Sequence, residues 1–550
     1  MAHPDWLHRW GPRSLFQAGA SSARILPTPS ERMGLSWRDW YEQKQSAHWL
    51  DDAAHALYRQ YPELSARSGL THSQARTVLA FTACMALGFA LAPVGWLIGL
   101  AGFAGGLVLI LSGLRLAAAL TAPAFAPRQA LPDVALPVVS VLVALYRESA
   151  ILPHLVEALR ALNYPADRLD IKLVIEADDR ETLSCAHALG LERQFQIVEV
   201  PPGSPRTKPK ALNYALHQAR GRLLALYDAE DRPHPDQIRQ AAESFAAAGP
   251  DIACLQAPLN WYNANQNRLT RQFALEYAAH FLTLLPFYLR MGWPLPLGGT
   301  SNIFLTRTLR EVGGWDPFNV TEDADLGLRL ARHGYTTGLV APPTLEEAPT
   351  RVGHWTAQRS RWIKGYAQTL LVHLRQPARL LRRDPALLTG LIVTLGLPVL
   401  SALLHGPALV GVLIWFILPF APWTTKALIL GLALAGYTGA LSILVCGARR
   451  AGLELRVSDL MLSPLYWALQ TPAAVRALWE LVWRPYYWSK TPHGHSLGVT
   501  DHPGTSPPCI STSQRHSLAS RLPRRSLPSR PGVPVGRTTR SRVKARSRGR

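Results

Sequence analysis

Carboxylates that follow two short apolar stretches are the first residues of this sequence that could do chemistry. The Asp-Ala-Glu-Asp segment 228–231 follows the apolar stretch 223–227, and an Asp-Asp pair at 178–179 follows 169–175. Closely spaced carboxylates repel one another unless a cation compensates them, and hard divalent cations prefer oxygen ligands. The alternative is that segment 228–231 is a solvated helix N-terminus, where acidic residues favour the helix dipole.

A basic segment, Lys-Pro-Lys at 208–210, stands directly before a stretch with helical character. A lysine at a helix N-terminus suits a phosphate, because the ammonium and the unpaired backbone N–H groups both attract an anion. A solvated basic loop explains the same residues equally well.

The Thr-Glu-Asp triplet 321–323 is typical of a capped helix start, with Thr321 as the capping residue. Capping alone explains these acids without catalysis. The Gly-Gly pairs at 298–299 and 313–314 predict turns at which a substrate can approach the backbone closely.

The Gln-Arg-Ser-Arg-Trp segment 358–362 predicts a helix that carries Arg359 and Trp362 on one face, with no obvious acidic partner. Arginine suits bidentate contact with phosphate, and tryptophan suits stacking on a sugar ring. The alternative is an anchor at a membrane interface.

An α/β domain over residues 135–380 must position these groups. Apolar runs predict strands at 138–143, 169–175, 196–200 and 223–227. Strands that alternate with helical stretches imply a largely parallel sheet, and ligands bind beyond the carboxyl ends of such strands. The acids at 178–179 and 228–231 both stand at such ends.

Apolar stretches on both sides of this domain predict membrane-spanning helices. About 20 apolar residues cross a bilayer, so segment 77–121 predicts a helix pair and segment 386–483 predicts about four helices. The C-terminal candidates are 387–404, 408–420, 427–446 and 460–482. Basic flanks predict a cytoplasmic domain, although four spans would leave Arg449 and Arg450 outside. The stretch 271–291 carries charges and predicts an interfacial helix.

The formal net charge of +21 is unevenly distributed. Residues 497–550 hold 12 Lys and Arg against one Asp, a net of +11, and their composition predicts a disordered tail. Anionic lipid headgroups explain this charge more simply than nucleic acid does, so no nucleic acid is expected. Segment 1–76 predicts a polar, partly helical cytoplasmic region. The five scattered cysteines lack metal-ligand spacing, and no apolar stretch near Met1 predicts a cleavable signal peptide.

Taken together and in this order, the motifs resemble the membrane-integrated family 2 glycosyltransferases of the cellulose-synthase-like type. The resemblance rests on Asp178-Asp179, Lys208, Asp228-Ala229-Glu230, Gly298-Gly299-Thr300-Ser301-Asn302, Thr321-Glu322-Asp323 and Gln358-Arg359-Ser360-Arg361-Trp362. It covers about residues 78–495, including the aromatic segment 483–494. The TED and QxxRW elements occur at the family's separation, which makes the resemblance specific.

The resemblance implies a GT-A fold, which is Rossmann-like with a mostly parallel mixed sheet, inserted between N-terminal and C-terminal membrane helices. It implies a nucleotide-diphosphate sugar, most often a UDP-sugar, as donor and Mg²⁺ or Mn²⁺ as cofactor. The residues that match donor-binding positions are Tyr146, Glu148, Asp178, Asp179, Lys208 and Asp228. Asp228 and Glu230 match the two ends of the metal-binding motif, with Glu where the family usually has Asp.

The same resemblance makes Asp323 the general base of an inverting transfer. The residues that match diphosphate and acceptor positions are Glu322, Gln358, Arg359, Arg361 and Trp362. The favoured function is elongation and translocation of a polysaccharide at the cytoplasmic face of the inner membrane. Transfer of a sugar to a lipid acceptor would use the same residues, and an inactive scaffold or receptor is the third alternative.

Overall fold

The computed structural model describes residues 37–417 and 422–487, with side chains described from residue 43 onward. The first part of segment 1–76, the last residues of segment 483–494 and the basic tail 497–550 lie outside the described residues. Their predictions therefore stay predictions.

The described chain is an α/β domain flanked by long helices. The strands are β1 Val139–Leu145, β2 Leu169–Glu176, β3 Gln196–Val200, β4 Leu223–Tyr227, β5 Arg232–Pro233, β6 Ile252–Gln256, β7 Leu259–Trp261, β8 Asn302–Leu305, β9 Thr336–Leu339 and β10 Thr344–Glu346. The helices before and within the first half of the domain are α1 Trp37–Gln60, α2 His72–Leu91, α3 Pro93–Leu120, α4 Leu152–Arg160, α5 Arg180–Ala188, α6 Lys208–Leu216, α7 Gln237–Ala247, α8 Arg268–Ala279 and α9 Leu285–Arg290. The later helices are α10 Thr306–Glu311, α11 Glu322–Arg332, α12 Val352–His373, α13 Pro377–Arg383, α14 Pro385–Leu391, α15 Leu397–Ile417, α16 Trp423–Arg450, α17 Val457–Ala468 and α18 Gln470–Trp483.

Seven strands form one mixed sheet in the order β3-β2-β1-β4-β8-β6-β9. All neighbouring pairs are parallel except those of β8, which runs antiparallel to β4 and β6. The four strands predicted from the apolar runs are present, and the mostly parallel mixed sheet expected of a GT-A-like fold is confirmed. A second sheet has the order β5-β10-β7.

The central strands are buried on both faces, which explains their continuous apolar sequence. Every residue of β4 is buried, and β1 is buried at six of its seven positions. Val141 and Val143 pack into one hydrophobic cluster, while Leu142 packs into another on the opposite face. Because β1, β2 and β4 run parallel, their carboxyl ends meet at one edge of the sheet.

Within the described residues, four helices are long and apolar enough to cross a membrane: His72–Leu91, Pro93–Leu120, Pro385–Ile417 and Trp423–Arg450. The N-terminal pair agrees with the predicted pair in number. The C-terminal region differs from the prediction of about four helices. Segments 387–404 and 408–420 belong to one helical run as far as residue 417, and 460–482 is divided between α17 and α18, of 12 and 14 residues.

The gap between the predicted spans 387–404 and 408–420 contains Gly406-Pro407, and α15 continues through this proline. Proline usually breaks a helix because it clashes with the preceding turn. Here the hydroxyl of Thr471 enters the hydrogen-bond ladder, since it donates to Ala402 O at 2.7 Å and accepts from Gly406 N at 3.0 Å. The neighbouring helix α18 thus satisfies the backbone groups that the proline separates.

Helix α16 joins the apolar helices to the domain. A Cβ on Gly436 would lie 2.9 Å from Val108 of α3, and a Cβ on Gly447 would lie 2.5 Å from the backbone of Ala279 in α8. At the end of α16, Arg450 donates to Leu282 O at 2.8 Å and to Thr121 O at 2.6 Å. The basic end of α16 therefore lies on the domain side, which removes the conflict that four C-terminal spans created.

Candidate active site

Lys208 connects three of the predicted motifs. It begins α6, and its Nζ donates to Asp228, the first residue after β4, and to Gly299 O at 3.3 Å. Burial disfavours the charged ammonium, but the carboxylates of Asp228 and Glu322 outweigh burial and raise the pKa of Lys208. The basic segment is thus a partner of the acids rather than a solvated loop.

The acids after β4 have different surroundings. Burial and the charge of Asp228 raise the pKa of Glu230 to about 7. Asp231 accepts hydrogen bonds from Asp228 N at 2.8 Å and from the hydroxyl of Thr300, and burial raises its pKa well above the usual value. Asp231 therefore fixes the loop, whereas Asp228 and Glu230 face Lys208. The alternative of a solvated helix start does not hold, because no helix begins within segment 228–231 and Asp231 is buried.

Glu346 is a member of this acidic cluster that the sequence analysis missed. It ends β10, and burial, together with Asp231 and Glu230, raises its pKa well above the usual value. The sequence signal that could have identified Glu346 is the Glu346-Glu347 pair at the end of a short strand. This strand has only three residues and no strong apolar pattern, so its sequence does not mark it as a strand.

The donor set fits a hard divalent cation in its chemistry. Among the described residues, no three His, Cys, Asp or Glu side chains form a metal-binding group. However, Mg²⁺ is usually held by one or two carboxylates together with substrate phosphates and water. In the same described part of the chain, Asp231 Oδ1 and Glu346 Oε1 are buried without a hydrogen-bond partner. A divalent cation bound here would offset the repulsion between these closely spaced carboxylates.

Asp323 lies in the first turn of α11, and burial raises its pKa although the N–H of Ala324 donates to its Oδ1 at 2.8 Å. Burial and the charge of Asp323 raise the pKa of the adjacent Glu322 to about 7. Thr321 occupies the N-cap position, but its side chain makes no capping hydrogen bond. Simple helix capping therefore does not account for this triplet.

The Gly298-Gly299 turn lies directly against Asp323. Gly299 has φ +88°, and a Cβ there would stand 2.6 Å from Asp323 Oδ2. Only glycine combines this conformation with so close an approach. The turn therefore borders the carboxylate, and the close approach of a substrate to this turn stays a prediction.

The two arginines of the Gln-Arg-Ser-Arg-Trp segment face different groups. Arg359 forms an ion pair with Glu276 of α8 and lies over the ring of Trp362, with its Cζ 5.0 Å from the centroid. The expectation that Arg359 lacks an acidic partner is therefore wrong, because Glu276 lies 83 residues away in sequence. Arg361 instead experiences the charges of Glu322 and Asp323, and burial lowers its pKa.

Gln358 and Trp362, at the two ends of the segment, are largely enclosed. The ring of Trp362 packs 6.0 Å, centroid to centroid, from the rings of Phe273 and Tyr277. Gln358 is 7% exposed, and its Oε1 has no hydrogen-bond partner within the described residues. Trp362 is thus held rigidly, and Gln358 has an unused acceptor.

A second group of predicted donor residues lies at the ends of β1 and β2. Arg206, which the sequence analysis did not select, pairs with Asp178 at 2.7 Å and donates to the hydroxyl of Tyr146 at 3.3 Å. Asp179 is buried and accepts from Arg147 N at 2.5 Å and Thr182 N at 3.3 Å. Asp179 therefore caps α5 and shapes the turn after β1, a structural role that the sequence analysis did not expect.

Glu148 lies in that same turn, where its backbone N–H donates to the hydroxyl of Thr182 at 3.2 Å. Its side chain is half-buried. Tyr146, Glu148 and Asp178 thus lie at one edge of the sheet. Arg206 stands two residues before Lys208 in the chain and so connects this group to Lys208.

A cavity of about 650 Å³ begins at this site and continues between the apolar helices. Gly298, Asp323 and Trp362 line it together with residues of α3, α15 and α16. The candidate base therefore faces a space that reaches the predicted membrane region.

Comparison with known proteins relates part of this chain to sugar-transferring enzymes. Residues 223–438, which include Asp228, Asp323 and Trp362, match the family described as glycosyl transferase family group 2. The similarity of this stretch supports a transferase.

Similar proteins include a beta-monoglucosyldiacylglycerol synthase of Synechocystis, 30% identical over 247 residues, or 44% of this chain and 50% of that protein. A probable glucomannan 4-beta-mannosyltransferase of Arabidopsis thaliana is 26% identical over 42% of this chain and 43% of its own length. The chain thus spans about half the length of these relatives. A solved mannosyltransferase of Pyrobaculum calidifontis, in complex with GDP-Man and Mn²⁺, has a TM-score of 0.43 and 17% identity, covering 70% of this chain and 97% of that one.

Proposed function

We propose that this protein is an inverting glycosyltransferase that moves a sugar from a nucleotide-diphosphate sugar, expected to be a UDP-sugar, to an acceptor hydroxyl beside Asp323. The observation that carries the proposal is the position of Asp323. Its half-buried carboxylate experiences the charge of Lys208, the partner of Asp228, and lines a cavity large enough for an acceptor. Donor and acceptor would thus meet at this residue.

Lys208 and Arg361 are the groups that would receive the donor's diphosphate. Both are half-buried cations beside the acids at 228–230 and 322–323. A preorganised cation in a buried site stabilises charge that develops on a leaving group. Tyr146 and Asp178, with Arg206 between them, would hold the nucleoside at the sheet edge.

Asp228 and Glu230 would hold a divalent cation, Mg²⁺ or Mn²⁺. Such an ion supplies positive charge to the diphosphate oxygens. Lys208 already offsets part of the charge of Asp228, and its hydrogen bond orients this carboxylate.

Asp323 would take the proton of the acceptor hydroxyl as that oxygen attacks the anomeric carbon. The new bond joins the acceptor oxygen to this carbon, the bond from carbon to diphosphate oxygen breaks, and the nucleoside diphosphate leaves with its electron pair. Burial raises the pKa of Asp323 and so makes it a better proton acceptor than a solvated carboxylate. Attack from the face opposite the leaving group inverts the anomeric centre.

The site would work at the cytoplasmic face of the inner membrane, with the domain anchored by several spans. Four apolar helices and the basic end of α16 on the domain side support this arrangement. The acceptor would be a glycan or a lipid. Extension and translocation of a polysaccharide remains a proposal, as does transfer to a lipid.

The test is turnover by the full chain in lipid nanodiscs, with radiolabelled UDP-sugars and GDP-sugars and Mn²⁺. We expect Asp323→Asn to lower transfer at least a thousandfold while the affinity for the nucleotide stays within threefold. Asp251→Asn, at an exposed loop position, is the matched control and should transfer like the wild type. Continued transfer by Asp323→Asn would refute the base assignment, and no turnover with any nucleotide sugar would favour the inactive scaffold.

A further inference from the structure

The cavity beside Asp323 changes character along its length. Near the carboxylate, aromatic rings of Tyr277, Trp362 and Tyr366 line it. Its lining on α3 extends from Arg115 back to Ala101. At 1.5 Å per residue, that distance is about 21 Å, against about 30 Å for the apolar core of a bilayer. The cavity therefore enters the predicted membrane region deeply.

The deep walls are mostly aliphatic and include Leu107, Val108, Leu404, Val412, Ile429 and Leu432. The polar groups beside them, His405 and Tyr437, contact each other at 3.4 Å, and His405 also contacts Pro464 O at 3.3 Å. Such walls offer few hydrogen bonds to the hydroxyls of a sugar chain, and a polar group that leaves water without new partners is destabilised. A hydrocarbon chain gains from leaving water along the same walls. The walls thus favour an alkyl chain over a glycan.

Two arginines line the cavity, and Arg359 is already paired with Glu276. Arg115 lies near Tyr288, and within the described residues it makes no hydrogen bond or ion pair. Of the two acids in the lining, Glu276 is bound to Arg359 and to the hydroxyl of Tyr466, and Asp323 experiences the charges of Lys208 and Arg361. Arginine stays charged in proteins, so an anion brought by a ligand is the natural partner of Arg115.

We propose that the acceptor is a membrane amphiphile with a phosphate group: its alkyl chains occupy the aliphatic part of the cavity and its phosphate binds Arg115. Arg115 lies five residues before the end of α3, about 7.5 Å from the domain side. This depth suits the headgroup of a lipid whose chains extend along α3. A guanidinium can donate two parallel hydrogen bonds to a phosphate.

This inference rests on the proposed function, because it names the acceptor of the same reaction. A hydroxyl of the headgroup gives its proton to Asp323 and forms the bond to the anomeric carbon. The nucleoside diphosphate leaves, and the lipid phosphate keeps its bonds and its charge. Phosphatidylglycerol combines a phosphate with free hydroxyls, and diacylglycerol has a hydroxyl without phosphate, so the two serve as matched probes.

The first experiment measures transfer by the full chain in phosphatidylcholine nanodiscs that contain either phosphatidylglycerol or diacylglycerol. We expect label in the organic-solvent extract, with at least tenfold preference for phosphatidylglycerol. Arg115→Met should lower transfer to phosphatidylglycerol at least tenfold and so remove this preference, and Arg115→Lys should retain part of it. The control is Arg449→Met, at an exposed arginine outside the cavity. Equal use of both lipids by the wild type would overturn the phosphate site.

The second experiment fills the cavity. Ala433→Trp places a large ring in the lining, whereas Leu434→Trp, at a 59% exposed neighbour on α16, places the same ring outside. We expect at least a tenfold rise in KM for the lipid in the first variant only, with hydrolysis of the nucleotide sugar unchanged. Equal kinetics in both variants would show that the chains lie elsewhere.

A third measurement does not need turnover. Native mass spectrometry of the protein released from these nanodiscs should detect retained phosphatidylglycerol, lost in Arg115→Met. Millimolar inorganic phosphate should not displace it; displacement would indicate a site for free phosphate and overturn the lipid assignment. A water-soluble or insoluble polymer as the product would overturn this inference and leave the proposed function standing. Lipid retention without transfer from any nucleotide sugar would support the lipid site and refute the proposed function.

Discussion

Gly299→Ala tests whether the position of Asp323 controls activity. The added Cβ would stand 2.6 Å from Asp323 Oδ2, and contacts below 3.4 Å require a neighbour to give way. The carboxylate must therefore move by about 0.8 Å to reach 3.4 Å. A displacement of about 1 Å in a reacting group costs on the order of a hundredfold in rate. We expect kcat to fall between thirtyfold and a hundredfold while the KM for the donor stays within threefold.

The matched control is Gly334→Ala, because Gly334 has φ +84° and no atom within 4 Å of the added Cβ. Both variants force alanine into the left-handed region, which costs roughly 1–2 kcal/mol of stability. The melting temperature should therefore fall by similar amounts in both, while only Gly299→Ala loses activity. Gly299→Ala with more than a third of wild-type kcat would refute the reasoning, and so would equal loss in Gly334→Ala.

Four further variants test the charges of the site. Lys208→Met should raise the KM for the nucleotide sugar at least tenfold in steady-state assays, because the half-buried ammonium is lost from the acids. Arg359→Met should lower the free energy of unfolding by about 3 kcal/mol in denaturant titrations, since Glu276 stays partly buried without its partner. Arg361→Met should instead lower kcat with little change in stability. If Arg361→Met lowered the stability and Arg359→Met lowered kcat, the assignment of the two arginines would have to be exchanged. Burial raises the pKa of Glu230 to about 7, so its ionisation destabilises the folded state as pH rises from 4.5 to 7. Glu230→Gln should therefore melt higher than wild type at pH 8 without metal, with no difference near pH 4; an equal difference at both values would contradict this pKa.

The strands that carry the site were predictable because their burial on both faces leaves a simple sequence signal. β4 is a continuous apolar run, and the acids that follow it lie at the expected edge. Local sequence also identified the Gly298-Gly299 turn. These features depend on neighbours within a few residues.

The remaining features depend on partners far away in sequence. Glu276 meets Arg359 across 83 residues, and Thr471 supports the helix at Gly406 across 65. Neither pairing leaves a local pattern, so the sequence analysis treated Arg359 as unpaired and broke α15 at Pro407. The cavity was not predicted either, because helices separated by the whole domain form its walls.

The position of α16 has a consequence for the order in which the protein is assembled. α16 closes one wall of the cavity and, through Arg450, joins Thr121 to Leu282. The ribosome completes the catalytic domain near residue 380 and reaches residue 450 on the order of 10 s later, at 5–20 residues per second. During this interval the domain is whole, while the side of the cavity that α16 later closes is open. Under the proposed membrane placement, this open side gives a lipid acceptor a lateral route into the cavity before α16 encloses it.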